Sequence, residues 1–241
     1  MPHLYGGLAN WINRIIILHR LLRRFLADLR TFDTRSDTIA KHTPMPVTLI
    51  LIFVFLTTQT TAQPETHQYV IEMAGAKIGT MTATKQAQGE LVNYTTVSDV
   101  VVNLLVYKVK IYYKTTCQFR GDKLLSAVVE ARTNRGNYAS STVWNSDHYD
   151  IKASQYKYEK QATQTANIDY SIVNLYFSEP VGRNRVFTEY FGDYYLLTKT
   201  PKGSYRARFE DREDEYIYEG GKLTRIIKKN AIKNFIIRVQ D

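Results

Sequence analysis

Three carboxylates, Glu179, Glu189 and Asp193, fall in one short stretch, with Tyr176, Arg183 and Arg185 among them. Acids held roughly 5–9 Å apart across a cleft can hydrolyse glycosidic bonds, one as acid and the other as base or nucleophile. Sequence proximity does not set that distance, and solvated loop charge or local ion pairing employs the same residue types. Tyr176, Glu179, Arg183 and Glu189 therefore stand as candidate ligand-binding residues. Glu179, Glu189 and Asp193 form the catalytic set of a hydrolase alternative. Ser146-Asp147-His148 holds triad residue types, but neighbours on one short turn cannot orient nucleophile, base and third group in series. A hairpin loop is the better reading there. No His/Cys cluster, phosphate loop or Ca²⁺-loop pattern occurs, so neither metal nor cofactor is expected. Cys117, the single cysteine, excludes an intrachain disulfide. It falls on the apolar side of an alternating stretch and reads as a small buried hydrophobe.

The elements that would position these groups are strands. Over Tyr107–Phe119 the odd positions are Tyr107, Val109, Ile111, Tyr113, Thr115, Cys117 and Phe119, with Lys108, Lys110, Lys114 and Gln118 between them. A period of two held this long excludes a helix. A strand of such length must coil, which favours a barrel or half-barrel over a flat sandwich. Alternation recurs at Leu125–Ala131, Tyr149–Ala153, Tyr205–Phe209 and Phe235–Val239. One wet and one buried face is the pattern of an antiparallel sheet. Ala74-Gly75, Gly121-Asp122 and Gly220-Gly221 mark hairpin turns, and the acidic run Glu210–Glu215 reads as a charged hairpin tip. Within 63–241 only Asp169–Phe177 carries helical spacing, with Asp169 as N-cap and Pro180 as terminator. A short helix and the loop Ser178–Arg185 would lie across an opening of the curved sheet. The fold class is all-β, mainly antiparallel: one strongly curved sheet, half-barrel or barrel, with one short helix, as a single domain over 63–241.

The apolar tract from Val47 to Leu56, followed by Thr/Gln and then Thr60-Thr61-Ala62, reads as a signal peptide over 45–62, cut between Ala62 and Gln63. Its ten residues span about 15 Å as helix, well short of the ~30 Å of a bilayer core. An uncleaved anchor would have to bury Gln59 and several threonines. Residues 1–44 form a basic extension with helical spacing of Leu8, Trp11, Ile15, Leu18, Leu22 and Phe25. They read as a membrane-surface arm, as an extended positive n-region of the signal, or as a disordered stretch or sequence upstream of a true start at Met45. They carry seven of the 32 basic and three of the 23 acidic residues, leaving 25 against 20 beyond the signal and a net charge of +5. So mild an excess, spread along many strands, speaks against nucleic acid. Anionic lipid head groups, acidic glycans or an envelope protein are the expected partners. Membrane contact would be peripheral or through the signal segment.

Ser171, Leu175-Tyr176-Phe177-Ser178-Glu179-Pro180, then Val186-Phe187-Thr188-Glu189-Tyr190-Phe191-Gly192, then Tyr216, Tyr218 and Gly221-Lys222-Leu223, resemble an uncharacterised family of exported Gram-negative bacterial β-proteins. The opening Tyr69-Val70-Ile71, Gly75, Ile78-Gly79 and Thr80 is similar to that family's first hairpin. The resemblance implies a periplasmic or envelope location and a β fold, and transfers no catalytic residue. The leading expectation is an exported, non-enzymatic protein that holds an apolar or amphipathic ligand, or a partner chain, on a curved sheet. The alternatives are the carboxylate hydrolase acting on an envelope polymer and an outer-membrane β-barrel.

Overall fold

The computed structural model describes residues 63–104, 107–229 and 234–240. The basic extension, the signal segment and Ala62 lie outside the described residues. Gln63, beyond the expected cut, is exposed.

Period-two alternation becomes strand wherever it was expected. A first run comprises β1 (Glu65–Met73), β2 (Ala76–Gln88), β3 (Leu91–Leu104), β4 (Tyr107–Arg120), β5 (Lys123–Thr133), β6 (Gly136–Asn145), β7 (His148–Gln155) and β8 (Tyr158–Gln164). A second comprises β9 (Arg185–Thr188), β10 (Asp193–Lys199), β11 (Tyr205–Phe209), β12 (Arg212–Glu219), β13 (Lys222–Lys228) and β14 (Phe235–Val239). All pair antiparallel in one sheet ordered β8-β7-β6-β5-β4-β3-β2-β1-β14-β13-β12-β11-β10-β9. The first and last strands thus lie side by side in its middle, with Tyr69 opposite Val239 and Met73 opposite Phe235. A 14-stranded sheet twisted by about −20 to −25° per strand cannot stay flat. It curves so that its inward residues share a core. Positive φ at Ala74, Gly75, Gly121, Gly220 and Gly221 supplies the tight hairpins expected there.

The two sheet edges, β8 and β9, share no backbone ladder, and side chains join them instead. The turn between β9 and β10 lies against the inward face of β6, β7 and β8. Ser140 Oγ donates to the Tyr190 carbonyl (2.7 Å), and the Tyr158 hydroxyl donates to the Phe191 carbonyl (3.2 Å). Lys160 pairs with Asp193 at 2.6 Å, and Gln164 Nε2 donates to the Tyr194 hydroxyl at 3.1 Å. Gly192 sits at φ 60 with its Cα so near Ile151 that an added Cβ would lie 2.3 Å from Cγ2.

Residues 165–184 connect β8 to β9 and fill one end of the enclosure. Ile168 and Val173 pack with Cys117, Phe119, Leu124 and Phe187, while Leu175 and Tyr176 pack with Tyr69, Val186 and Leu223. Backbone bonds from Leu124 N to Ile168 O (2.9 Å) and from Phe187 N to Tyr170 O (3.0 Å) tie the segment to both sides. Its helix α1 (Ile172–Leu175) is one turn.

Four expectations are corrected. The N-cap is Ser171, not Asp169. Asn174 Oδ1 accepts from the Ser171 backbone N–H (2.7 Å) and hydroxyl (3.2 Å), whereas Asp169 pairs with Arg183 at 2.8 Å. The helix also ends well before Pro180. In β5 the buried residue is Leu124, with Leu125 half-exposed, because the register slips at Gln118/Phe119 and a one-residue bulge switches the face. Of the run Glu210–Glu215, only Glu210 and Asp211 form the tip; the others continue into β12, where Glu213 is buried against Arg208 and Lys229.

Replacing Gly192 with Ala combines a left-handed backbone with overpacking against Ile151, and should lower stability by about 2–4 kcal/mol. Gly121 is also left-handed (φ 53) but has nothing within 4 Å of an added Cβ. Gly121→Ala should therefore lose only about 1–2 kcal/mol. Urea unfolding of the two variants measures the difference, and equal losses would show that the seam does not constrain this turn.

Candidate functional site

Between α1 and the far end of the sheet lies a cavity of about 390 Å³. Its walls combine aliphatic side chains such as Ile71, Met81, Ile111 and Ile237 with the hydroxyls of Thr96, Ser98, Thr115 and Thr188. The closing turn supplies Glu189, Tyr190 and Phe191, and α1 supplies Ile172 and Val173. Phenols crowd the interior. Burial raises those of Tyr113, Tyr176 and Tyr216, and pushes Tyr195 up to about 12, so all stay neutral hydrogen-bonding groups.

At the base, Glu189 is 4 % exposed. Its Oε1 accepts from the Val173 backbone N–H at 3.1 Å and from Cys117 Sγ at 3.6 Å. Burial raises the carboxyl above its ordinary range, opposed by hydrogen bonds that include Ser171 and Val173. The Cys117 thiol is raised by the same burial and by the Glu189 charge, which keeps it protonated and unreactive.

At the other end, three alternate positions of β12 line the cavity: exposed Arg212, half-buried Asp214 and buried Tyr216. Asp214 pairs with Lys228 of β13 at 2.6 Å. Enclosure by protein disfavours the Lys228 ammonium, but Asp214 and the Tyr195 phenol outweigh it and raise the group, so it stays charged. The Arg212 guanidinium lies 4.6 Å from the Phe191 ring centre and meets no carboxylate among the described residues. Tyr216 is fully buried, and its hydroxyl has no hydrogen-bond partner among the described residues. Nearby, Arg206, Arg208 and Lys229 share the single carboxylate of Glu213.

Of the sequence candidates, Tyr176 and Glu189 line this cavity and Glu179 and Arg183 do not. Glu179 accepts from the Tyr205 hydroxyl (2.7 Å) and lies 3.8 Å from Lys199. Arg183 pairs with Asp169 and covers the Tyr170 ring at 4.1 Å. Asp193 belongs to the seam. Glu179, Glu189 and Asp193 are thus held by separate partners in separate places. Ser146-Asp147-His148 forms the β6–β7 hairpin end, with Ser146 at φ 61 and His148 bonded to Asp147 at 2.6 Å. Sequence reasoning missed Arg212, Asp214, Tyr216 and Lys228. The available signal was a charge at 214 in phase with Tyr216 and Tyr218.

Among the described residues no group of three or more His, Cys, Asp or Glu is placed to hold a metal, and no helix is long and apolar enough to cross a membrane. A family model described as a domain of unknown function, DUF6134, matches residues 69–240. No curated protein and no solved structure matches the chain.

Glu189 gives a pH test with a defined sign. Its folded pKa is raised, so the protonated form favours folding, and that contribution is lost as pH climbs from the unfolded carboxyl pKa through the folded one. Glu189→Gln keeps Oε1 as acceptor and removes the titration. The variant should therefore gain stability relative to the parent at pH 8 compared with pH 4, read from urea midpoints at both. A difference independent of pH would show that burial does not raise this carboxyl above its unfolded value.

Proposed function

The chain belongs to the DUF6134 family, a family of unknown function, and we propose that it is an exported envelope protein that binds an apolar or amphipathic ligand inside its curved sheet without chemical turnover. The carrying observation is the cavity itself. At about 390 Å³ it falls within the ~300–1,000 Å³ of small-molecule sites, and it has their composition: apolar walls with a few convergent polar groups. A core that served only folding would be filled, since interiors pack near crystal density. The hydrolase alternative lacks support, because its three carboxylates are committed to different partners. Most large apolar residues of the sheet face inward, and Lys108, Lys110 and Lys152 stand among scattered outward residues such as Val128 and Val143, unlike the continuous apolar band of a lipid-facing barrel wall.

Three measurements test this reading. N-terminal sequencing of protein from the envelope fraction should begin at Gln63. Native mass spectrometry of that material should show a bound small molecule. The neutral fluorophore N-phenyl-1-naphthylamine should bind the emptied protein, and Ser98→Phe, which fills the cavity from its wall, should reduce that binding at least tenfold while circular dichroism stays unchanged. Probe binding indifferent to Ser98→Phe would place the ligand elsewhere and sink the reading.

A further inference from the structure

We propose that the occupant of the cavity is a single-chain anionic amphiphile. Its head, a carboxylate or phosphate, sits at the Arg212–Lys228 end with one oxygen accepting from the Tyr216 hydroxyl, and its chain lies along Ile71, Met81 and Ile237 towards Tyr176. This deepens the binding role above and rests on it.

Three observations converge on the head group. Arg212 lines the cavity and is held over Phe191, so its guanidinium edge is uncommitted to any carboxylate among the described residues. A planar fork of this kind suits carboxylate or phosphate oxygens. Lys228 adds a second cation at the next inward level, kept charged by Asp214. Tyr216 follows two residues below Asp214 on the same strand, fully buried and lining the cavity, with an unpartnered hydroxyl. A desolvated donor without an acceptor is unfavourable in a folded core. An anionic oxygen between Arg212 and Lys228 would satisfy it. The exposed acids Glu210 and Asp211 stand at the solvent tip of the adjoining turn, where water screens them. The remaining walls are mainly aliphatic and aromatic, with the hydroxyls of Thr96, Ser98, Thr115 and Thr188 among them and Glu189 at the base, and the volume lies near the lower end of ligand sites. That admits one chain rather than a two-chain lipid.

The test is displacement of N-phenyl-1-naphthylamine from the stripped protein at pH 8 and low ionic strength, below micelle-forming concentrations. Dodecanoate, dodecyl phosphate, dodecanol and dodecyltrimethylammonium share a chain and differ in head. The anions should displace the probe at concentrations at least tenfold lower than the alcohol or the ammonium, and whichever anion is stronger names the head. Arg212→Gln and Tyr216→Phe should each raise the anion midpoints about five- to tenfold and leave the dodecanol midpoint within twofold. Tyr216→Phe should also unfold at no lower urea concentration than the parent, because the phenol has no bond to lose. If the alcohol or the ammonium competes as well as the anions, or neither variant discriminates, the proposal is overturned while the binding role stands. If the probe itself does not bind, both fall.

Discussion

The constraint on which the rest depends is the closure of a sheet whose edges never pair. β8 and β9 end the strand order, and a curved sheet left open there would expose its apolar face along one side. The turn at 189–192 and the start of β10 fold onto the inward face of β6–β8, and four polar contacts with one glycine contact hold them. That same turn supplies Glu189, Tyr190 and Phe191 to the cavity wall. Closing the enclosure and building the site are therefore one event. A backbone ladder would have sealed the edge more strongly, but it would have left no turn to project inward.

The closure also explains the segment 165–184. A curved sheet has two open ends, and α1 with its flanking residues fills one of them. It is anchored by Leu124, Phe187 and the Tyr218 hydroxyl, which donates to the Leu175 carbonyl at 2.7 Å. His67 Nδ1 donates to the Tyr176 carbonyl at 3.0 Å, so β1, next to the last strand, also grips the plug. The end of β12 that carries Tyr218 is thereby closed. The end that carries Arg212 is the one lined by cations. The cavity's polarity along its length follows from which end of β12 the plug occupies.

Much of this was legible from alternation, because burial on a pleated sheet has a strict period of two. Cys117, Tyr149, Ile151, Ala207 and Ile237 all lie on the face their spacing assigned. Legibility failed where a local event broke the period. The bulge beside Phe119 exchanged Leu125 for Leu124, and the side-chain amide of Asn174, three residues past Ser171, moved the cap there from Asp169. The candidate site was half legible for a different reason. Tyr176 and Glu189 sit in a stretch of unusual composition, and composition is visible. Arg212, Asp214 and Lys228 sit in strands where charges ordinarily face water. Beyond the phase of Asp214 with Tyr216, it is the structure that places them at the cavity, with Asp214 paired to Lys228 across β12 and β13.

Those inward charges argue beyond folding. A half-buried ion pair contributes little net stability once its partial desolvation is counted, so hydrophobic residues at 214 and 228 would serve the core about as well. An unpartnered phenol is worse for the core than a phenyl ring, which makes Phe the better folding residue at 216. A desolvated acid at 189 loses stability as it ionises. Each of these four positions departs from what folding alone would select, and every one of them lines the same cavity. Tyr69, Thr142 and Gln155 also hold buried polar atoms without a partner among the described residues, and they lie off the cavity. On the proposed binding reading, the four that share the cavity wall are where stability is traded for recognition.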